Sequence, residues 1–161
     1  MTNSSEDIVG LIAAYSATPA RLREAVDALD TAALDRPVGE NEWTPRQIIL
    51  HLVDADLVAA MRIRQILAEE RPTLPGFDQE AWAAMLGYAS ADAAAVADAL
   101  ALFAMLRSST ALLLRRAPRQ RWEAWGQHSE RGRQTLRDVV TTYTRHGEDH
   151  LAQLRQQNAM I

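Results

Sequence analysis

Cysteine and lysine are both absent from this 161-residue chain. Without a thiol there is no disulfide framework, no thiolate nucleophile, no Fe–S cluster and no cysteine-based zinc site. Without lysine all 17 basic residues are arginines, so neither a P-loop lysine nor a Schiff-base lysine exists. No Gly-rich phosphate loop stands in the sequence, and no Ser-His-Asp geometry can be argued from it. A formal charge of −4 and a pI near 5.5 argue against nucleic acid as the main partner, because phosphate binding draws on a net basic surface. Glu6 and Asp7 stand where a signal peptide would begin its apolar stretch. The most apolar run, 93–106, is interrupted by Asp98 and is short for a bilayer. A cytoplasmic protein with no membrane partner is expected.

Breakers are few and clustered. Among 7 Gly and 6 Pro, Pro37, Gly39 and Pro45 mark one gap, Pro72, Pro75 and Gly76 a second, and Pro118, Gly126 and Gly132 a third. The four long segments between them are rich in Ala, Leu, Arg and Glu, which favour helix. No segment shows the sustained alternation of β-branched and aromatic residues that marks a strand. The first helix, capped by the stretch from Ser4 to Asp7, is expected to reach about residue 29. It meets Pro19, which either kinks it or starts a second short helix. The second opens on Thr44-Pro45-Arg46-Gln47, with Thr as N-cap, Pro at the first helical position and Gln completing a capping box, and runs to about residue 70. Asp78 caps a short extra helix ending near Gly87; the third long helix spans about 91–117; Thr135 and Asp138 open the fourth, which reaches about 157. Four amphipathic helices of this length bury their stripes best against one another, so the expectation is one all-α domain over 1–161, a four-helix bundle. The stretch 71–90 is long for a tight turn and suits a crossover.

Two of the four histidines form His146-Gly147-Glu148-Asp149-His150. Residues four apart stack on one helix face, so both imidazoles can reach one ion. At about 100° per residue, Val139, Tyr143, His146, His150 and Leu154 share an arc, which points the pair into the bundle. On the second helix Ile48, His51, Ala55, Val58 and Arg62 share the inner arc. His51 lies roughly 10 Å from the start of its helix and His150 roughly 10 Å from the end of its own, depths that match if the two helices run antiparallel. Three inward histidines would make a three-ligand site with an open fourth position, the pattern of a catalytic metal. Core histidines satisfied by a carbonyl or a carboxylate are the other reading, and periodicity alone does not choose between them.

The run from Trp43 to Asp56, His51 included, followed by Arg62-Ile63-Arg64-Gln65-Ile66-Leu67, resembles the second helix of the DinB/YfiT-like proteins. Phe77-Asp78-Gln79-Glu80-Ala81-Trp82 is similar to the segment that follows it in one large branch of that family. The stretch from His128-Ser129-Glu130-Arg131-Gly132 to His146-Gly147-Glu148-Asp149-His150-Leu151-Ala152-Gln153-Leu154 looks like its fourth helix and the approach to it. The resemblance covers nearly the whole chain. It implies a four-helix bundle that binds a divalent ion, zinc or nickel, through His51, His146 and His150. It also implies a small-molecule substrate and one of two chemistries, thiol-dependent S-transfer or hydrolysis. Gly147 departs from the bulkier residue often found between the paired histidines, and close packing is the explanation it invites.

Asp54 and Asp149 flank the histidines, as carboxylates that orient an imidazole or act as a base, or as exposed acids on a helix flank. Gln153 is one turn beyond His150, placed either to contact a ligand or to bond backbone. Gln47 is accounted for by capping. Arg62 faces inward and is expected to pair with an acid such as Asp78. His128 is read as surface or lid, and Trp43, Trp82, Trp122 and Trp125 as pocket mouth or bundle-end packing. Two function classes follow. One is a metalloenzyme, which, having no cysteine, would borrow any thiolate from a low-molecular-weight cosubstrate. The other is a non-catalytic metal- or ligand-binding stress-response bundle acting as a homodimer.

Overall fold

The computed structural model describes residues 3–37, 39 and 42–159. Four long helices, α1 (Asn3–Asp27), α2 (Pro45–Ala68), α4 (Ala93–Arg116) and α5 (Leu136–Ala159), form the bundle, with the short α3 (Gln79–Met85) between α2 and α4. The caps act as their sequences specify. The Thr44 side chain accepts from Gln47 N while Gln47 Oε1 accepts from Thr44 N at 2.9 Å. Asp78 accepts from Glu80 N and Ala81 N, and Thr135 and Asp138 bond each other's backbone amides. The capping expected of the stretch from Ser4 to Asp7 falls on side chains outside the described residues, apart from Asp7, which pairs with Arg137.

The helices pack in the cyclic order α1–α5–α2–α4. Side-chain pairs give their directions. Asp7 meets Arg137 and Thr18 meets Glu148, so α1 and α5 are parallel. His51 meets His146 while Arg62 meets Tyr143, so α2 and α5 are antiparallel, as the matched histidine depths require. Asp56 meets Arg107 and Arg64 meets Thr110, so α2 and α4 are parallel. A parallel α2–α4 pair needs a return path along the bundle, and residues 69–92 supply it.

The expectation of helix alone misses a small sheet. β1 (Thr73–Leu74), β2 (Trp125–His128) and β3 (Gly132–Thr135) form three strands in the order β1-β2-β3, with β1 parallel to β2 and β2–β3 a hairpin. Its strands are two to four residues long and rich in polar residues and glycine, too short to display a period. The sheet pins the start of the crossover against the approach to α5. Gly126 lacks a Cβ because one would come within 2.8 Å of the Pro72 carbonyl oxygen.

Two apolar clusters, one around Ile12, Ile63, Leu114 and Val140, the other around Leu22, Leu52, Phe103 and Leu151, meet at a polar layer. At its centre is Arg107, fully buried with Asp56. The guanidinium donates twice to Asp56, at 3.0 Å each, to the Tyr143 carbonyl at 2.7 Å and to the Tyr15 carbonyl at 3.3 Å. Tyr15 in turn donates its hydroxyl to Asp56. One arginine thus joins all four long helices.

Two irregularities follow from it. Pro19 has no N–H for the carbonyl four residues back, which is Tyr15, and Arg107 donates to that carbonyl instead. Of the two readings of Pro19, a single continuous helix is the one observed. A Cβ on Gly147 would lie 3.0 Å from Arg107 Nη2 and 3.0 Å from Thr18 Cγ2, so glycine there is close packing against the buried guanidinium. Gly147→Ala is therefore expected to destabilise by about 1–3 kcal/mol, although alanine gains up to about 1 kcal/mol of helix propensity. The midpoint of urea unfolding checks the sign.

The apolar run read over 93–106 belongs to a longer helix. By length and composition α4 is the one described helix that would suit a membrane span, with mean hydropathy 1.5 over its most apolar window. In the bundle it is instead a core helix carrying Arg107.

Candidate metal centre

α2 and α5 run antiparallel, and their facing surfaces bring His51, His146 and His150 to one point. His51 Nε2 lies 3.0 Å from His146 Nε2, which lies 3.2 Å from His150 Nε2. One ligand atom from each of the three falls within 4.8 Å of the others. One Nε2–H can satisfy one of the two close Nε2 contacts but cannot be aimed well at both, so the three converging atoms are poorly matched as neutral imidazoles alone. A cation resolves that conflict. Donors held by zinc at 2.0–2.1 Å in a tetrahedron stand about 3.3 Å apart, so the observed spacing fits a divalent ion with little adjustment.

One outer nitrogen fits the same reading. His150 Nδ1–H donates to Gln153 Oε1 at 2.7 Å, which puts the proton on Nδ1 and leaves the Nε2 lone pair for the cluster. Of the two roles expected of Gln153, backbone contact is not the one seen: it bonds a histidine, and it also lines the cavity beside the cluster. Gln153→Ala is expected to weaken divalent-ion binding about 10–100-fold, measurable by competition against a chromogenic chelator. The Nδ1 atoms of His51 and His146 are buried with no hydrogen-bond partner. Aromatic rings hold His51 in place: Trp43 packs edge-on at 4.8 Å between centroids, and Phe77, from the crossover, stacks at 6.5 Å.

Burial keeps all three rings neutral, as ligation demands. Desolvation, helped by the neighbouring His150, pushes His51 down to about 4. Desolvation with the adjacent imidazoles lowers His146 to about 3, and burial also lowers His150. In the metal-free protein the unfolded chain takes up these protons below the usual histidine value of about 6.5, whereas the folded chain does not. Their contribution to stability is therefore complete above that pH and is lost as pH falls towards about 4. Between pH 7 and pH 5 the metal-free protein is expected to lose at least about 1 kcal/mol, read from denaturation midpoints with chelator present. A flat profile would show the rings to be solvated.

The cluster forms one side of an open cavity of about 490 Å³, lined also by Glu42, Trp43, Ile48, Gln79, Glu80, Asp149 and Gln153. Asp149 is thus at the site, exposed and paired at 3.7 Å with Arg145. Asp54 is not a lining residue; its carboxylate accepts from the Tyr88 hydroxyl and ties α2 to the end of the crossover. His128 is neither surface nor lid. It lies on β2, only 4% exposed, and its Nδ1 accepts from Glu130 N and Arg131 N to close the hairpin turn. Arg62 takes no acid, Asp78 being occupied as the α3 cap. It donates to the Tyr143 hydroxyl at 2.8 Å and to the Pro75 carbonyl, fastening the crossover to α2 and α5. Of the tryptophans, Trp43 lines the cavity, Trp122 is core at the bundle end, Trp125 lies against Arg71 and Arg133, and Trp82 packs on Phe77. Glu42, Gln79 and Glu80 escaped the sequence reading. The one available signal was Gln79-Glu80 directly behind the Asp78 cap.

Fold and cluster together define a class: a four-helix bundle whose second and last long helices present three histidines able to hold one metal ion. The chain belongs to the DinB superfamily, whose family profile matches residues 14–154. Among its relatives are the "Putative metal-dependent hydrolase YfiT" of Bacillus subtilis (strain 168), 29% identical over 137 residues, 84% of this chain and 75% of the relative. A "Putative metal-dependent hydrolase" of Geobacillus thermodenitrificans (strain NG80-2) is 32% identical over 155 residues, 93% of this chain and 83% of the relative. A solved structure described as "YfiT from Bacillus subtilis is a probable metal-dependent hydrolase with an unusual four-helix bundle topology" superposes with a TM-score of 0.90 at 27% identity, covering 96% of this chain and 87% of the other.

Proposed function

We propose that this protein is a metal-dependent hydrolase of a small molecule, with His51, His146 and His150 as the protein ligands of one zinc or nickel ion. The observation that carries this reading is the convergence of three Nε2 atoms at an open cavity with no fourth Asp, Glu, Cys or His in the cluster among the described residues. A structural site closes its coordination with a fourth protein ligand, whereas a catalytic one keeps a position open. A divalent ion bound there supplies a Lewis acid that activates water and polarises a scissile carbonyl. The chain's own residues do the rest. Gln153 holds the His150 ring in one tautomer, Trp43 and Phe77 wall the His51 ring from bulk water, and Asp149 is the carboxylate we assign to take the proton from attacking water. The names of the relatives support the hydrolytic reading over sulfur transfer.

The test is a panel of amides and esters offered to protein reloaded with zinc or nickel, run with and without low-molecular-weight thiols. Hydrolysis without thiol, lost on chelation and in His146→Ala, is the expected result. Turnover that requires a thiol would reassign the chemistry to S-transfer, and turnover that survives chelation would remove the metal from the account.

A further inference from the structure

The charged side chains lining the cavity beside the histidines are all of one sign. Its lining includes three carboxylates, Glu42, Glu80 and Asp149, and no arginine, although the chain has 17 arginines. Asp149 is shared with Arg145 at the surface. Glu42 and Glu80 have no ion pair among the described residues; Glu80 accepts only a long bond from Gln79 Nε2 at 3.4 Å. The acids are not themselves the site: the cavity and the three convergent imidazoles are, and the acids belong to its lining. The imidazoles are neutral, so a divalent ion among them still leaves the lining with one net negative charge. A ligand whose reacting end lies at the histidines can place its other end among the carboxylates, beside the Trp43 ring, which adds an aromatic surface of the kind that attracts cations.

We infer that the substrate of this site is a small ammonium compound, its positive group held at the rim by Glu42 and Glu80 and against Trp43. This inference rests on the metal-dependent reading and narrows it. A small molecule carrying carboxylate or phosphate at the end remote from the reacting bond is disfavoured, because like charges repel across a few ångströms.

Choline and 3,3-dimethylbutan-1-ol have nearly the same shape and the same hydroxyl, and differ in the charge of the quaternary centre. Both are titrated by calorimetry into zinc-loaded protein whose zinc content is measured in the same sample. Choline is expected to bind at least about tenfold more tightly, and the double variant Glu42→Gln/Glu80→Gln, altered only at exposed positions, is expected to bring the two within about threefold. Added salt should shrink the preference in the wild type and hardly alter it in the variant. Zinc-loaded protein that binds the alcohol as well as choline, that binds neither at tens of millimolar, or whose double variant keeps the full preference overturns the inference while leaving the metal reading intact. Protein that takes up no zinc overturns the metal reading, and this inference with it.

Discussion

Replacement of His150 by alanine is expected to reduce divalent-ion binding from about one ion per chain to none detectable, a loss of well over 100-fold in affinity. On the proposed reading three ligands from two helices would hold the ion, and removing one would leave two imidazoles in a cavity whose remaining acids are exposed. Helicity should persist. The ring is only half-buried, its helix is held by Leu151 and Leu154 in the core, and deleting it relieves the crowding of three Nε2 atoms. Circular dichroism beside elemental analysis separates loss of the ion from loss of the fold. An alanine variant that still holds a stoichiometric ion would show that the ligands lie elsewhere.

The second large effect lies away from the histidines. Asp56→Ala leaves the Arg107 guanidinium buried at 0% exposure without its counter-ion, and is expected to cost about 3–5 kcal/mol, a large part of a domain's stability. Tyr15 loses its acceptor in the same change. The double variant Asp56→Leu/Arg107→Met, apolar at both positions, should recover much of that loss, although the Tyr15 carbonyl opposite Pro19 then goes without a donor. Chemical denaturation distinguishes the two. A single variant as stable as the wild type would mean that the pair is hydrated and that the polar layer is not a closed one.

The contrast between these sites shows what the sequence made legible. The histidines were readable because their spacing matches a helix period and because the second and fourth long helices offered them at equal depth. Thr44-Pro45-Gln47, Asp78 and Thr135-Asp138 were readable because capping is a local interaction. Arg107 and Asp56 were invisible: each is an ordinary charged residue on its own helix, and only the parallel crossing of α2 and α4 sets one against the other. Pro19 and Gly147 are the shadows that pair casts on the neighbouring helices, one supplying a bare carbonyl and the other a notch. Neither is interpretable before Arg107 is seen. His128 and the hairpin around it were misread for the same reason. A four-residue strand with glycine and polar positions has no periodicity, and one of its two partners is β1, about fifty residues earlier in the chain. Arg62 was correctly placed inward, but its partners are a hydroxyl and a carbonyl, groups that leave no charge signature in a sequence.

The most direct measurement is X-ray absorption at the zinc edge on reloaded protein. The account predicts an ion surrounded by three imidazole nitrogens and one light ligand not supplied by the protein, with the imidazole count falling in His150→Ala. An ion closed off by four protein ligands, or one bound with fewer than two imidazoles, would contradict it.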